Sequence, residues 1–120
     1  MQQSVIDEVK KDLEKYSDYR TENLTCTFGG SQIAVSLAPG STINVESIGK
    51  CKLEVFEYIY KWNKYWLAYD PKPTGKDTAL TQNGFVSRVS NDKWMQYIFF
   101  CSNPEPEAAC SLRLKIVPKK

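Results

Sequence analysis

The 120-residue sequence contains no histidine, and this absence limits the chemistry that the chain can perform. Histidine is the commonest general base near neutral pH, the commonest metal ligand and the usual partner of a serine or cysteine nucleophile. A Ser-His-Asp or Cys-His site is therefore impossible within this chain. Carboxylate pairs such as Glu54 with Glu57 remain, but solvated surface charges explain them better. We expect a protein that binds rather than an enzyme.

Motifs for bound groups are also missing. Gly29-Gly30 precedes a predicted strand rather than a helix, so it is not a phosphate-binding loop. The segment Asp70–Asp77 lacks the residue order of a calcium loop. We expect no cofactor and no metal site.

Long apolar runs are absent as well. No stretch approaches the roughly 20 residues that cross a bilayer, and the start, Met1-Gln2-Gln3-Ser4, has no charged segment followed by an apolar one. We expect no transmembrane segment, and either a mature secreted chain or a cytoplasmic protein. The net charge of +2, from 16 basic and 14 acidic residues, argues against a nucleic-acid partner, because such domains usually carry a clustered basic excess.

Four cysteines are present: Cys26, Cys51, Cys101 and Cys110. No two of them have the C-x-x-C spacing of zinc or redox motifs, and an even count in a small chain predicts two disulfides. The preferred pairing is Cys26–Cys51 with Cys101–Cys110, because each bond would join neighbouring strands. Four buried free thiols are the alternative. Disulfides favour a secreted protein.

The segment 4–16 is predicted to be the one helix, because its apolar residues recur at helical spacing. Ser4, followed three residues later by Asp7, predicts a capping box. From residue 22 to residue 117 the apolar period becomes two, with frequent turn signals. This pattern predicts a mainly β fold (α+β is possible), namely an antiparallel β-sandwich or barrel-like sheet behind one N-terminal amphipathic helix, in a single domain over residues 1–120.

Two local expectations follow from the same pattern. Leu24, Cys26 and Phe28 alternate, so they are predicted to share the apolar face of the first strand. The segment Asp70–Asp77 is rich in proline and glycine and is predicted to be a loop.

The most informative feature is an aromatic hairpin. Phe56, Tyr58, Tyr60 and Trp62 occupy alternate positions, which places four rings on one strand face. A predicted turn near Asn63-Lys64 leads into a second strand, 65–69. The candidate ligand-binding residues are Tyr58, Tyr60, Trp62, Lys64, Tyr65 and Trp66.

Three interpretations of this stripe compete. The helix or a second sheet could cover it and make it core. It could instead be an open platform for a sugar or a lipid headgroup, since Tyr and Trp combine flat apolar faces with polar tips. Lys61 and Lys64, with Lys72 and Lys76 further on, would then favour anionic ligands. Stacking on nucleic-acid bases ranks last.

The leading functional hypothesis is a small secreted-type module that binds a glycan or a membrane-surface ligand (a lipid headgroup) through this hairpin. The alternative is a protein-interaction module, such as a protease inhibitor or an effector, that uses exposed loops such as 102–109. A helix followed by antiparallel strands resembles the order in cystatin-type protease inhibitors. However, the stretch 32–36, Gln-Ile-Ala-Val-Ser, lacks the Val and Gly of their Gln-x-Val-x-Gly signature, so no residue roles carry over.

Overall fold

Alternating apolar and polar residues build two four-stranded antiparallel sheets that pack face to face, with one helix near the N-terminus. The computed structural model describes residues 1–48, 53–80, 83–102 and 108–120. The elements are α1 (Gln3–Lys15), β1 (Arg20–Cys26), β2 (Ser31–Leu37), β3 (Thr42–Ile48), β4 (Leu53–Asn63), β5 (Ala68–Leu80), β6 (Phe85–Arg88), β7 (Met95–Cys101) and β8 (Ala108–Val117). The first sheet has the order β1-β8-β3-β6 and the second β2-β7-β4-β5. Within the described residues neither sheet closes on itself, so the predicted sandwich is confirmed and the barrel is not.

The core lies between the two sheets and follows the period of two. Along β7 the odd-numbered residues from Met95 to Cys101 are buried, while the even-numbered ones are half-buried. Each large apolar side chain removed from water contributes about 1.5–3 kcal/mol. The largest fully buried side chains include Tyr16, Leu37, Ile43, Leu53, Tyr97, Phe99, Leu112 and Leu114.

A disulfide joins the two sheets through this core. Cys26 at the end of β1 is bonded to Cys101 at the end of β7, and both are buried. The predicted Cys26–Cys51 and Cys101–Cys110 pairing is therefore wrong, because the turn after β1 brings Ser31 opposite Cys101. Cys110 is also disulfide-bonded, and Cys51 lies outside the described residues.

The turn between β1 and β2 corrects a second prediction. Phe28 is 84% exposed and does not share the buried face of Leu24 and Cys26. The strand ends at Cys26, and the chain turns at once, with the N–H of Gly30 donating to the carbonyl of Thr27 at 3.0 Å.

Helix α1 lies where it was predicted, but it begins differently. Its N-cap residue is Gln2, whose side chain makes no capping hydrogen bond, and Ser4 lies inside the first turn. The predicted capping box is therefore wrong. The side-chain oxygen of Gln2 instead accepts a hydrogen bond from the backbone N–H of Tyr69 at 3.1 Å.

The other end of α1 reaches the opposite edge of the second sheet. Asp12 is buried, and its carboxylate accepts a hydrogen bond from the backbone N–H of Ser36 at 2.8 Å. Tyr16, just after the helix, accepts from the N–H of Ile116 at 2.8 Å through its backbone carbonyl. The helix therefore runs from β5 to β2 across one end of the second sheet.

Strand β5 contains the segment 70–77, so the prediction of a loop there is wrong. Pro71 and Pro73 lie opposite Tyr60 and Tyr58 of β4. β5 is an edge strand, where proline is tolerated because its missing N–H faces away from the paired neighbour. Further along, the register shifts, and Gly75 at φ 86° provides the backbone conformation for this irregularity.

Candidate functional site

The aromatic stripe of β4 has a covered base. Tyr60 is half-buried, with its hydroxyl 2.7 Å from Ser36 Oγ and accepting from Gln96 Nε2 at 3.5 Å. Burial raises the pKa of Tyr60 above its usual 10.0, and the α1 carboxylates Glu8 and Asp12 raise it further, while the hydrogen bond to Ser36 opposes the rise. Tyr60 is therefore packed among its sheet neighbours, close to the α1 carboxylates, and its hydroxyl is already engaged.

Tyr58 lies on the same face and is also half-buried. It sits between Gln96 of β7 and Pro73 of β5 in the strand register. Its ring is therefore flanked on both sides within the sheet.

Beyond Tyr60 the β4–β5 hairpin extends past the rest of its sheet. Pairing between β4 and β7 ends at Ile59 opposite Met95, whereas pairing with β5 continues to Asn63 opposite Ala68. Residues 64–67 form the turn. The predicted strand from Tyr65 is therefore wrong, because Tyr65 and Trp66 are turn residues and β5 begins at Ala68.

The end of this hairpin exposes large apolar side chains. Tyr65 is 84% exposed, Trp66 77%, Leu67 68% and Trp62 52%. Single exposed apolar residues are ordinary on protein surfaces, but a contiguous group marks an interaction site. We call Trp62, Tyr65, Trp66 and Leu67 the hairpin tip.

The backbone of the hairpin tip is held by Asn63. Its side-chain oxygen accepts hydrogen bonds from the N–H groups of Tyr65 at 3.0 Å and Trp66 at 3.4 Å. Its amide donates to Asp70 Oδ2 at 2.8 Å. Leu67 adopts φ 50°, a left-handed conformation that is uncommon for a leucine. The turn is therefore defined, and these bonds hold the backbone from which Tyr65 and Trp66 project.

Two contacts fix rings at the base of the tip. Trp62 packs edge-to-face on Tyr69, with centroids 5.3 Å apart and planes at 66°. Lys64 Nζ lies 5.5 Å from the centre of the Tyr65 ring, within the range of a cation–π contact. A shallow recess of about 410 Å³ lies here, lined by Trp62, Asn63, Lys64, Tyr65 and Lys72.

Four of the six candidate residues lie at the end of the hairpin: Trp62, Tyr65 and Trp66 in the hairpin tip and Lys64 beside them, while Tyr58 and Tyr60 lie further down β4. Asn63 and Leu67 were not predicted. An asparagine at a predicted turn is a usable signal, because its side chain bonds the backbone two residues on. Nothing in the sequence pattern marks Leu67 as exposed.

Other predicted features lie elsewhere. Most of the predicted interaction loop, residues 103–107, lies outside the described residues. Among the residues that the structure describes, no three potential ligands from His, Cys, Asp and Glu come together as a metal site. Over the same described ranges, no helix is long and apolar enough to span a bilayer.

No family model and no curated protein sequence matches the chain. Among solved structures it is similar to PliG of Aeromonas hydrophila, a periplasmic inhibitor of g-type lysozyme, with 13% identity over 85% of this chain and 87% of that one and a TM-score of 0.49. It is also similar to part of the IMPa metallopeptidase in complex with T-antigen, with 13% identity over 83% of this chain and 12% of that one and a TM-score of 0.40. Similarity at this level carries no information about function.

Proposed function

We propose that this protein is a non-catalytic binding module that inserts its hairpin tip into a cleft on a partner protein. The observation that carries the proposal is the exposure of Trp62, Tyr65, Trp66 and Leu67 at the end of one hairpin that extends past its sheet. Trp and Tyr are enriched among the residues that supply most of the binding energy at protein interfaces. A convex tip is complementary to a concave partner surface.

Preorganisation also supports this proposal. Ordering a flexible loop on binding costs free energy, and a loop already held in its bound shape avoids part of that cost. Asn63 holds the backbone of the turn, and Tyr69 packs against Trp62. The backbone of the turn and the Trp62 ring are therefore already held in place before a partner binds.

A glycan platform is the second candidate, favoured by the recess beside Trp62 and Tyr65. Stacking on a sugar needs an open ring face with free polar groups around it. The hydroxyl of Tyr60 is already bonded to Ser36, and Lys64 lies over the Tyr65 ring. These contacts make the glycan platform the weaker of the two proposals.

The proposed location is an oxidising, exported compartment. The bond between Cys26 and Cys101 connects the two sheets inside the core, and disulfides persist mainly outside the reducing cytosol.

The test compares wild type with Trp66→Ala and with Val86→Ala, a control at a 69% exposed apolar residue of the first sheet. Each protein is applied to an array of secreted proteins, to a glycan array and to anionic lipid vesicles. We expect a protein ligand whose affinity falls at least about 30-fold in Trp66→Ala, as for an interface hot spot, and is unchanged in Val86→Ala.

The protein array, the glycan array and the vesicles distinguish the three kinds of ligand. Binding to glycans or vesicles that Trp66→Ala abolishes would replace the protein partner by that ligand. Absence of any protein ligand that depends on Trp66 would contradict the proposal.

A further inference from the structure

The residues around the hairpin tip carry a concentrated positive charge. Residues 61–72 include three lysines, Lys61, Lys64 and Lys72, and one carboxylate, Asp70, so their net charge equals the +2 of the whole chain. The carboxylate of Asp70 is bonded to the amide of Asn63 at 2.8 Å. The ion pairs found in the described part of the chain involve other residues. Among the described residues, Lys61, Lys64 and Lys72 therefore form no ion pair, and the one carboxylate nearby in the register, Asp70, lies opposite Lys61.

Two of these cations line the same recess as two rings. Lys64 and Lys72 border the cavity of about 410 Å³ together with Trp62 and Tyr65. When a partner covers the rings, water leaves the recess, and the attraction between opposite charges strengthens as the local dielectric falls. The ammonium groups then need an anion, because a buried charge without a partner is costly.

Resting on the proposed function, we infer that the recess receives the carboxylate of an aspartate or glutamate of the partner protein, paired with Lys64 and Lys72. The rings around the recess are the ones that the partner would bury, so the anion comes from the same protein surface. The partner's cleft is then apolar at its centre and acidic at its rim.

Asn63 acts in this site as a positioning residue. Its oxygen is occupied by the N–H groups of Tyr65 and Trp66, and its amide by Asp70. These contacts engage its oxygen and one of its two amide N–H donors within the hairpin itself. Its role is to fix the turn that places Lys64 beside Tyr65.

The experiment uses the isolated protein and a defined probe, N-acetyl-glutamate N-methylamide, with the glutamine counterpart as the neutral control. Binding is followed by NMR shifts of the Trp62 indole and the Tyr65 amide. We expect saturable shifts with the glutamate probe alone. Lys72→Gln should weaken binding by about two- to fivefold, the effect of losing one exposed ion pair.

Lys76→Gln is the matched control, because Lys76 is an exposed lysine of the same strand that does not line the recess. Equal weakening in Lys76→Gln and Lys72→Gln would reduce the effect to net charge and overturn the inference. So would equal responses to both probes, or no saturable response. Tighter binding of inorganic phosphate than of the carboxylate would reassign the recess to a phosphorylated ligand.

This experiment is independent of the partner. If the probe does not bind while a protein ligand still depends on Trp66, the inference fails and the proposed function stands. If the probe binds and no protein ligand depends on Trp66, the proposed function fails instead.

Discussion

Tyr60 and Trp66 belong to one aromatic hairpin, yet they have opposite surroundings. Tyr60 lies at the base, where its hydroxyl contacts Ser36 and Gln96 and its pKa is raised by burial. Trp66 lies at the turn and is 77% exposed. Tyr60 lies among sheet neighbours and close enough to α1 for Glu8 and Asp12 to raise its pKa, whereas Trp66 lies in the turn 64–67 beyond the paired strands. The number of rings in a strand therefore does not by itself distinguish packed rings from exposed ones.

The largest effect on the free energy of unfolding is expected when each of the two rings is removed in a separate variant. Tyr60→Ala removes a half-buried ring and two hydrogen bonds, and it leaves the Ser36 hydroxyl without this partner. We expect it to lower the free energy of unfolding by about 2–4 kcal/mol. Trp66→Ala should change that free energy by no more than about 0.5 kcal/mol.

Urea unfolding of the two variants beside wild type measures both values. Similar, small losses in the two variants would show that α1 does not stabilise the base of the stripe.

An intermediate effect is expected for Asn63→Ala, which leaves both rings in place and releases the turn. Losing hydrogen bonds to two backbone N–H groups should cost about 0.5–1.5 kcal/mol. Hydrogen exchange at the Tyr65 and Trp66 amides should accelerate, whereas the amide of Tyr60, which donates to the carbonyl of Trp94 at 2.9 Å, should not. Asn91→Ala, in an exposed turn elsewhere, is the control. Unchanged exchange at the tip would mean that the turn is held by other contacts.

The smallest effect is expected at Asp12 of α1, which is hydrogen-bonded to the sheet that carries Tyr60. Burial raises the pKa of the Asp12 carboxyl above its ordinary 3.8, and Glu8 adds to the rise, while the hydrogen bond from Ser36 and the charges of Lys15 and Lys11 oppose it. A group whose pKa is higher in the folded than in the unfolded protein gives its full stabilisation below the unfolded pKa. That stabilisation is lost as the pH rises through the folded pKa.

Asp12→Asn removes this titration and keeps an oxygen that accepts from the Ser36 N–H. The variant should therefore gain stability relative to wild type as the pH is raised from below 3.8 to neutrality. Chemical denaturation across this range measures the difference, with the exposed Asp92→Asn as the control for loss of one charge. A difference that moves the other way with pH would contradict burial as the dominant cause.

Much of the fold was predictable because local physics determines it. The period of two along β7 fixes which side chains enter the core, and the helical spacing of Val5 and Val9 fixes the buried face of α1. The disulfide was mispaired because neighbouring cysteines in sequence need not be neighbours in space. Cys26 reaches Cys101 only because the turn after β1 starts β2 beside the end of β7.

The aromatic residues of the candidate site could be predicted from the sequence, but not which of them are exposed. The alternation from Tyr58 to Trp62 correctly places those rings on one face of β4, but no local pattern reveals which of them the rest of the chain buries. The exposed part of the hairpin begins where β7 stops pairing with β4, at Ile59. That limit is set by the lengths of three strands together. It could not be read from any one of them.

Pro71 and Pro73 have a consequence beyond the shape of β5. Exposed strand edges recruit strands from other molecules through their free N–H groups, which is a common route to aggregation. At these two positions the outer edge of β5 has no N–H to offer, so another strand cannot extend the sheet along the hairpin stem. The chain can therefore expose a cluster of aromatic rings next to a strand edge that does not pair with strands of other molecules. If this end of the molecule binds a partner protein as proposed, the contacts there would be made by side chains, which differ between proteins, rather than by backbone pairing, which does not.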